Sequence, residues 1–176
     1  MALPQYIPSY TVDDYRAWEG DWELWSGVPV SMSPSPSKRH QALCGELHFL
    51  LKSALKAQGC DSCQVFFELD WIVAEDTVFR PDLMVVCDDV PSHHLEKTPI
   101  LVAEVLSPST RQRDLVHKKE CYQELEVLYY LVVDPQKEEH QLLVLQNGVY
   151  QKSDPSSLKV HENCEISIDS KSLFTS

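Results

Sequence analysis

The stretch VFRPDLMVVCDD, residues 78–89, decides how this chain is read. Leu83 to Cys87 is apolar throughout, which predicts a strand covered on both faces. Asp82 follows Pro81 directly and stands at the entrance of that strand. A carboxylate there is half desolvated yet still reaches a groove. Taken alone, Asp82 is an ordinary turn acid before a strand. Its meaning depends on what the rest of the chain brings to it.

A second strand, Ile100 to Leu106, is apolar except for Glu104. A charge inside a buried strand needs either a salt-bridge partner or a metal. If the two strands are neighbours, Asp82 and Glu104 converge, and a divalent cation relieves their repulsion while taking oxygen ligands. A helix is predicted next, over Ser109–Leu125, carrying Thr110, Asp114, Lys118 and Tyr122. Steps of four residues advance about 40° beyond a full helical turn, so these side chains form one slowly winding stripe. A solvated face with an ordinary Asp114–Lys118 pair is the plainer account of that spacing. Its start six residues after Glu104 puts the stripe over the same end of the sheet.

Upstream, Thr11 and Asp14 resemble a capping box opening a short helix over Val12–Trp18. WELWSGVPVSM, residues 22–32, reads as a hairpin turning at Ser26-Gly27. Leu43, Leu47, Leu50, Leu51, Ala54 and Leu55 give helical periodicity over Ser37–Gln58, stopped by Gly59. Downstream, VLYYLVVD is another buried strand, Asn147-Gly148 turns a hairpin, and the C-terminal CEISIDSKSLF adds at most one edge strand. The order predicts one α/β (α+β) domain over residues 1–176, built on a mixed sheet flanked by helices.

With 43% hydrophobic and 24% charged residues the chain is of globular type, and no apolar run approaches the roughly 20 residues of a membrane span. The N-terminus lacks the pattern of a secretory signal, so the expected location is cytoplasmic. The six cysteines fit that compartment as free thiols in core or turn positions. Cys60 and Cys63 form a lone CxxC with no second ligand pair at motif spacing, which speaks against zinc. A net charge of −12 opposes unspecific coating of nucleic acid. Lys38, Arg39, Arg111, Arg113, Lys118 and Lys119 are nevertheless clustered enough to line one basic groove.

RPD, then LVAEVLSPST, then Asp114-x-x-x-Lys118-x-x-x-Tyr122 and a strand ending VVDP resemble the Uma family of restriction-endonuclease-like proteins, within the PD-(D/E)xK nuclease superfamily. The match is densest from Phe79 to Pro135 and extends more weakly to the WELWSGVPVSMSP hairpin and His40. The resemblance implies a restriction-endonuclease-like core and a Mg²⁺- or Mn²⁺-dependent hydrolase acting on DNA. It implies that Asp82 and Glu104 ligate the metal and that Lys118 assists catalysis. The superfamily lysine normally stands two residues after the glutamate, where this chain has Leu106, so the lysine would have migrated to Lys118. Thr110, Asp114 and Tyr122 would hold that lysine in place. A further departure is EVLYYL, residues 126–131, where the family usually reads Gly-Val-x-Glu-Tyr-Trp. His40 with Lys38, Arg39, Arg111, Arg113 and Lys119 would touch phosphate, and pairing as a homodimer would present two sites to a duplex. The alternative is a non-catalytic nucleic-acid- or protein-binding module that kept the fold.

Overall fold

A computed structural model describes residues 8–32, 35–88, 93–153, 157–168 and 173–174; the expectation for the first seven residues lies outside these. Two sheets carry the fold. The larger has six strands: β3 (Cys63–Phe67), β6 (Leu83–Cys87), β7 (Leu101–Val105), β8 (Tyr129–Asp134), β9 (Glu139–Gln146) and β10 (Val149–Ser153). Their order is β10-β9-β8-β7-β6-β3, and only β7 and β8 run parallel, so the sheet is mixed. A parallel pair needs a crossover, which residues 106–128 supply. The smaller sheet, in the order β2-β1-β5-β4, joins β1 (Trp22–Trp25), β2 (Val28–Ser31), β4 (Trp71–Ala74) and β5 (Thr77–Phe79).

Each local signal has a physical origin. Ser26 and Gly27, with φ of 48° and 79°, make the left-handed turn that β1–β2 needs, and Asn147 and Gly148 do the same for β9–β10. The short first helix α1 (Val12–Tyr15) is closed by the Thr11/Asp14 capping box. The long helix α2 (Lys38–Ala57) is capped by Ser37 and turns Leu43, Leu47, Leu51 and Leu55 onto the large sheet. Each such leucine stabilises by ~1.5–3 kcal/mol through burial. The opposite face of the sheet packs Met84, Val102 and Tyr130 against Trp71, Phe79 and Tyr122.

Three expectations need correction. The C-terminal segment does not extend the main sheet. It forms a separate hairpin of β11 (Leu158–His161) and β12 (Cys164–Ile166) under α2, because Leu158, Val160 and Ile166 bury into the α2-side core. The helix after Glu104 is not a regular α-helix. Arg113–Lys118 is a π-helix that passes into α3 (Lys119–Glu124). The cysteines are not all thiols: Cys60 is bonded to Cys164 and Cys63 to Cys87, which leaves Cys44 and Cys121 free. Strand pairing explains one of these bonds, since Cys63 and Cys87 are direct cross-strand neighbours on β3 and β6. No helix among the described residues is long and apolar enough to cross a membrane.

Candidate functional site

The residues Arg80-Pro81-Asp82 carry the chain from the small sheet (β5) to the large one (β6). Proline has no N–H to give to a strand ladder, so the strand breaks there and a new one begins. Leu83 pairs with Ala103, which brings the next residues outward, Asp82 and Glu104, together at the strand ends. The Asp82 N–H approaches Glu104 Oε2 at 3.5 Å, and Asp82 Oδ2 accepts the Val105 N–H at 2.7 Å.

Glu104 points to the face carrying the small sheet and the π-helix. Its Oε1 accepts from Lys118 Nζ at 2.9 Å and from the Tyr122 hydroxyl at 2.8 Å. Lys118 Nζ also lies 3.0 Å from Glu23 Oε1 and 3.9 Å from Asp114 Oδ1. Glu23 comes from β1 and additionally accepts the Arg80 N–H at 2.7 Å. Glu23, Glu104, Asp114 and Lys118 are each at most 5% exposed. Charged groups this buried are found only in company.

The electrostatics follow from three carboxylates surrounding one ammonium. Burial raises Glu104 well above the usual carboxylate range, against the pull of Lys118 and with the help of Asp82 and Asp114. Asp114 is raised by burial too. Burial would lower Lys118, but Glu104, Glu23 and Asp114 outweigh it and keep the ammonium protonated.

On the α2 side, His40 Nε2 lies 3.1 Å from Asp82 Oδ2, and Cys44 Sγ is 3.6 Å from His40 Nδ1. Burial would lower the imidazole, yet its bond to Asp82 raises it overall. His40, Cys44 and Asp82 form the one group of three among the described residues whose donor atoms lie mutually within 4.8 Å.

These residues floor a cleft of about 760 Å³ walled by the β1–β2 hairpin, the start of α2, the Ser107–Thr110 turn and the π-helix. Seven carboxylates line it against four arginines and lysines. Asp82, Glu104 and Lys118 are therefore brought together as expected, with Asp114 and Tyr122 beside them. Thr110 lies in the cleft wall, bonded to the Ser107 hydroxyl at 2.9 Å.

The basic groove is corrected. Arg39, Arg113, His40 and Lys118 line the cleft, whereas Lys38, Arg111 and Lys119 are not among its described lining residues. Arg111 pairs with Asp134 at 2.8 Å, Arg39 with Glu138 at 3.0 Å, and Arg113 donates to the Ser31 carbonyl. Lys118 is buried among acids, and His40 is a buried partner of Asp82 rather than a surface group. Sequence reasoning missed Glu23 and Cys44. Glu23 carried the signal that had singled out Glu104, an isolated acid in an apolar strand, here between two tryptophans.

A crystal structure of a protein from Anabaena variabilis, described as a "putative nuclease belonging to DUF820", shares this fold with a TM-score of 0.72. The two are 19% identical, with 93% of this chain and 98% of that one covered. No curated protein matches the chain. Residues 12–166 match the Uma2 family, described as "Putative restriction endonuclease". With its fold and nearly its whole length accounted for in this way, the chain belongs to the Uma2 family.

Proposed function

We propose that this protein is a metal-dependent endonuclease that hydrolyses DNA phosphodiester bonds. The observation that carries the reading is the meeting of Asp82 and Glu104 at the ends of adjacent strands on the floor of one cleft, with Lys118 bonded to Glu104. Oxygen donors of this kind fit Mg²⁺ or Mn²⁺. Asp82 Oδ1 and Glu104 Oε2 are the oxygens outside the strongest hydrogen bonds described above. The surplus of carboxylates supplies the attraction. A bound cation there would polarise a phosphodiester and lower the pKa of a water.

The chain's own residues do the rest. Val105 and His40 fix the Asp82 carboxylate, and Tyr122 and Lys118 fix that of Glu104. Lys118 keeps a positive charge at the cleft floor, where charge develops on a phosphoryl oxygen. Arg113 and Arg39 are the cleft cations placed to meet a nucleic-acid backbone. The protein acts as a homodimer, so that two clefts face the two strands of a duplex. The outermost strands of the large sheet, β3 and β10, are the edges at which a second copy would pair. Light scattering tests this, and a monomer mass at working concentration overturns it.

The central test is incubation of supercoiled plasmid, linear duplex and single strands with Mg²⁺ or Mn²⁺. Wild type nicks, whereas Asp82→Ala and Glu104→Ala lose at least roughly 100-fold, the scale of several kcal/mol of metal stabilisation. Equal nicking by all three proteins overturns the reading.

One observation favours a second reading, a non-catalytic nucleic-acid- or protein-binding module. The Lys118 ammonium is already satisfied by Glu104 and Glu23 within the protein. Calorimetry separates the two: no binding at millimolar Mg²⁺ or Mn²⁺, or binding that survives Glu104→Ala, selects the binding module.

A further inference from the structure

Cys44 is a free, buried thiol that the proposed phosphodiester chemistry leaves without a task. It stands four residues after His40 on α2, and residues four apart share a helix face. That face meets the mouth of β6. His40 Nε2 lies 3.1 Å from Asp82 Oδ2, and Cys44 Sγ lies 3.6 Å from His40 Nδ1. A sulfur, an imidazole nitrogen and a carboxylate oxygen are thus within 4.8 Å of one another, on side chains that are buried or nearly so.

Three atoms mutually within 4.8 Å fit a circle of at most about 2.8 Å radius, against zinc bonds of about 2.0–2.3 Å. Closing on one ion therefore takes only small shifts. His40 now meets its two neighbours through different ring nitrogens, and an ion takes one of them, so one of these contacts opens on binding. Mg²⁺ and Ca²⁺ take oxygen donors, whereas thiolate with imidazole and a carboxylate suits zinc. His40 and Asp82 line the cleft and Cys44 belongs to the core behind them, so the ion is reached from the cleft. Glu68 lines the same cleft, and its charge reaches both His40 and Cys44, which adds attraction for a cation.

We propose that His40, Cys44 and Asp82 form a zinc site in the wall of the cleft. Burial and the nearby acids hold the thiol protonated without metal, and its proton passes to solvent as the thiolate binds the ion. A water on the cleft side completes the four-coordinate shell. The ion would fasten the start of α2 to the mouth of β6. The site needs neither Glu104 nor Lys118, so it stands apart from the nuclease reading.

The test adds Co²⁺ and then Zn²⁺ to the full chain with its disulfides intact. Cobalt is expected to give the near-ultraviolet sulfur-to-metal absorption of thiolate ligation, and one equivalent of zinc to remove it. Cys44→Ser and Cys44→Ala lose the band. Their zinc affinity, by competition with a chelating dye, falls by more than about 100-fold, since even outer-shell partners are worth about 10–100-fold. Cys121, whose sulfur lies 3.7 Å from His117 Nε2, is the control, and Cys121→Ser keeps the band. Glu104→Gln keeps it too, which separates this site from the pair proposed for Mg²⁺ or Mn²⁺. No band in the wild type overturns the proposal, whatever the variants do. A band that survives Cys44→Ser or vanishes in Cys121→Ser overturns it as well. A Cys44-dependent band in a protein that fails to nick DNA counts against the nuclease reading alone.

Discussion

Lys118 is the residue on which the site's electrostatics turn. Its ammonium neutralises Glu104 and Glu23 where water cannot. Replacing it by methionine leaves those acids uncompensated, and the expected loss is about 3–5 kcal/mol in urea unfolding. Acid should restore part of it. A carboxyl raised in the folded state adds stability below its unfolded value, 4.5 for Glu104, and loses it as pH climbs through the raised value. Lys118→Met should therefore come closest to wild type in acid and fall furthest behind at neutral pH. The same raised carboxyls make protons compete with metal, so Mg²⁺ or Mn²⁺ affinity by calorimetry should weaken as pH falls, with protons released on binding. Asp82 and Glu104 were legible because a lone charge in an apolar strand, or at its mouth, needs a reason, whereas Lys118 stood out by its place in the four-residue stripe and by the family resemblance. His40 was not, since its burial comes from where α2 docks, which no local pattern of residues records.

At the scale of elements, the crossover helix shows what periodicity can and cannot carry. A helix over Ser109–Leu125 was readable, but the π-helix at Arg113–Lys118 was not. In an α-helix a step of four overshoots a full turn, whereas in the wider π-turn it falls short. The two offsets oppose each other, and Asp114, Lys118 and Tyr122 all end up buried toward Glu104. That widening answers to buried partners on other strands, which are invisible in the helix's own sequence. Leu115 and Val116 are left exposed on its outer side. Tyr122→Phe keeps the ring packing and removes one hydrogen bond to a charged acceptor, so a loss of about 1.5–3 kcal/mol is expected in the same unfolding measurement. The hairpin β11–β12 gives a second case. Its link to α2 through Cys60 and Cys164 spans 104 residues, a closure worth about 4–5 kcal/mol in the chain-entropy picture. Cys164→Ser should lower the unfolding free energy by an amount approaching this.

For the whole molecule, charge and shape pull in different directions. The sequence spread six cations over a supposed groove, but Lys38, Arg111 and Lys119 are not among the described residues that line it, and Lys118 is taken up by Glu104 and Glu23. That leaves Arg39 and Arg113, themselves paired with Glu138 and the Ser31 carbonyl, as the expected cations within reach of a phosphate there. Two phosphate contacts correspond to a log–log salt slope of about −2 for duplex DNA, and six would give about −5. Filter binding or fluorescence anisotropy across a salt series decides between them. Fold class and strand count near the site were readable because buried strands and turn residues are local signals. The division into two sheets was not, since it depends on how three residues at Arg80–Asp82 redirect the chain.

That crossing has a consequence for motion. Lys118 ties Glu23 on one sheet to Glu104 on the other, and a buried ion pair cannot be loosened by halves without stranding a charge. The sheets should consequently open as a single cooperative unit in native-state hydrogen exchange, with the amides of β1 protected to nearly the same free energy as those of β7. In Lys118→Met the small sheet should separate into a foldon of its own, exchanging earlier than β7, and the cleft would then acquire a breathing mode that the native protein suppresses.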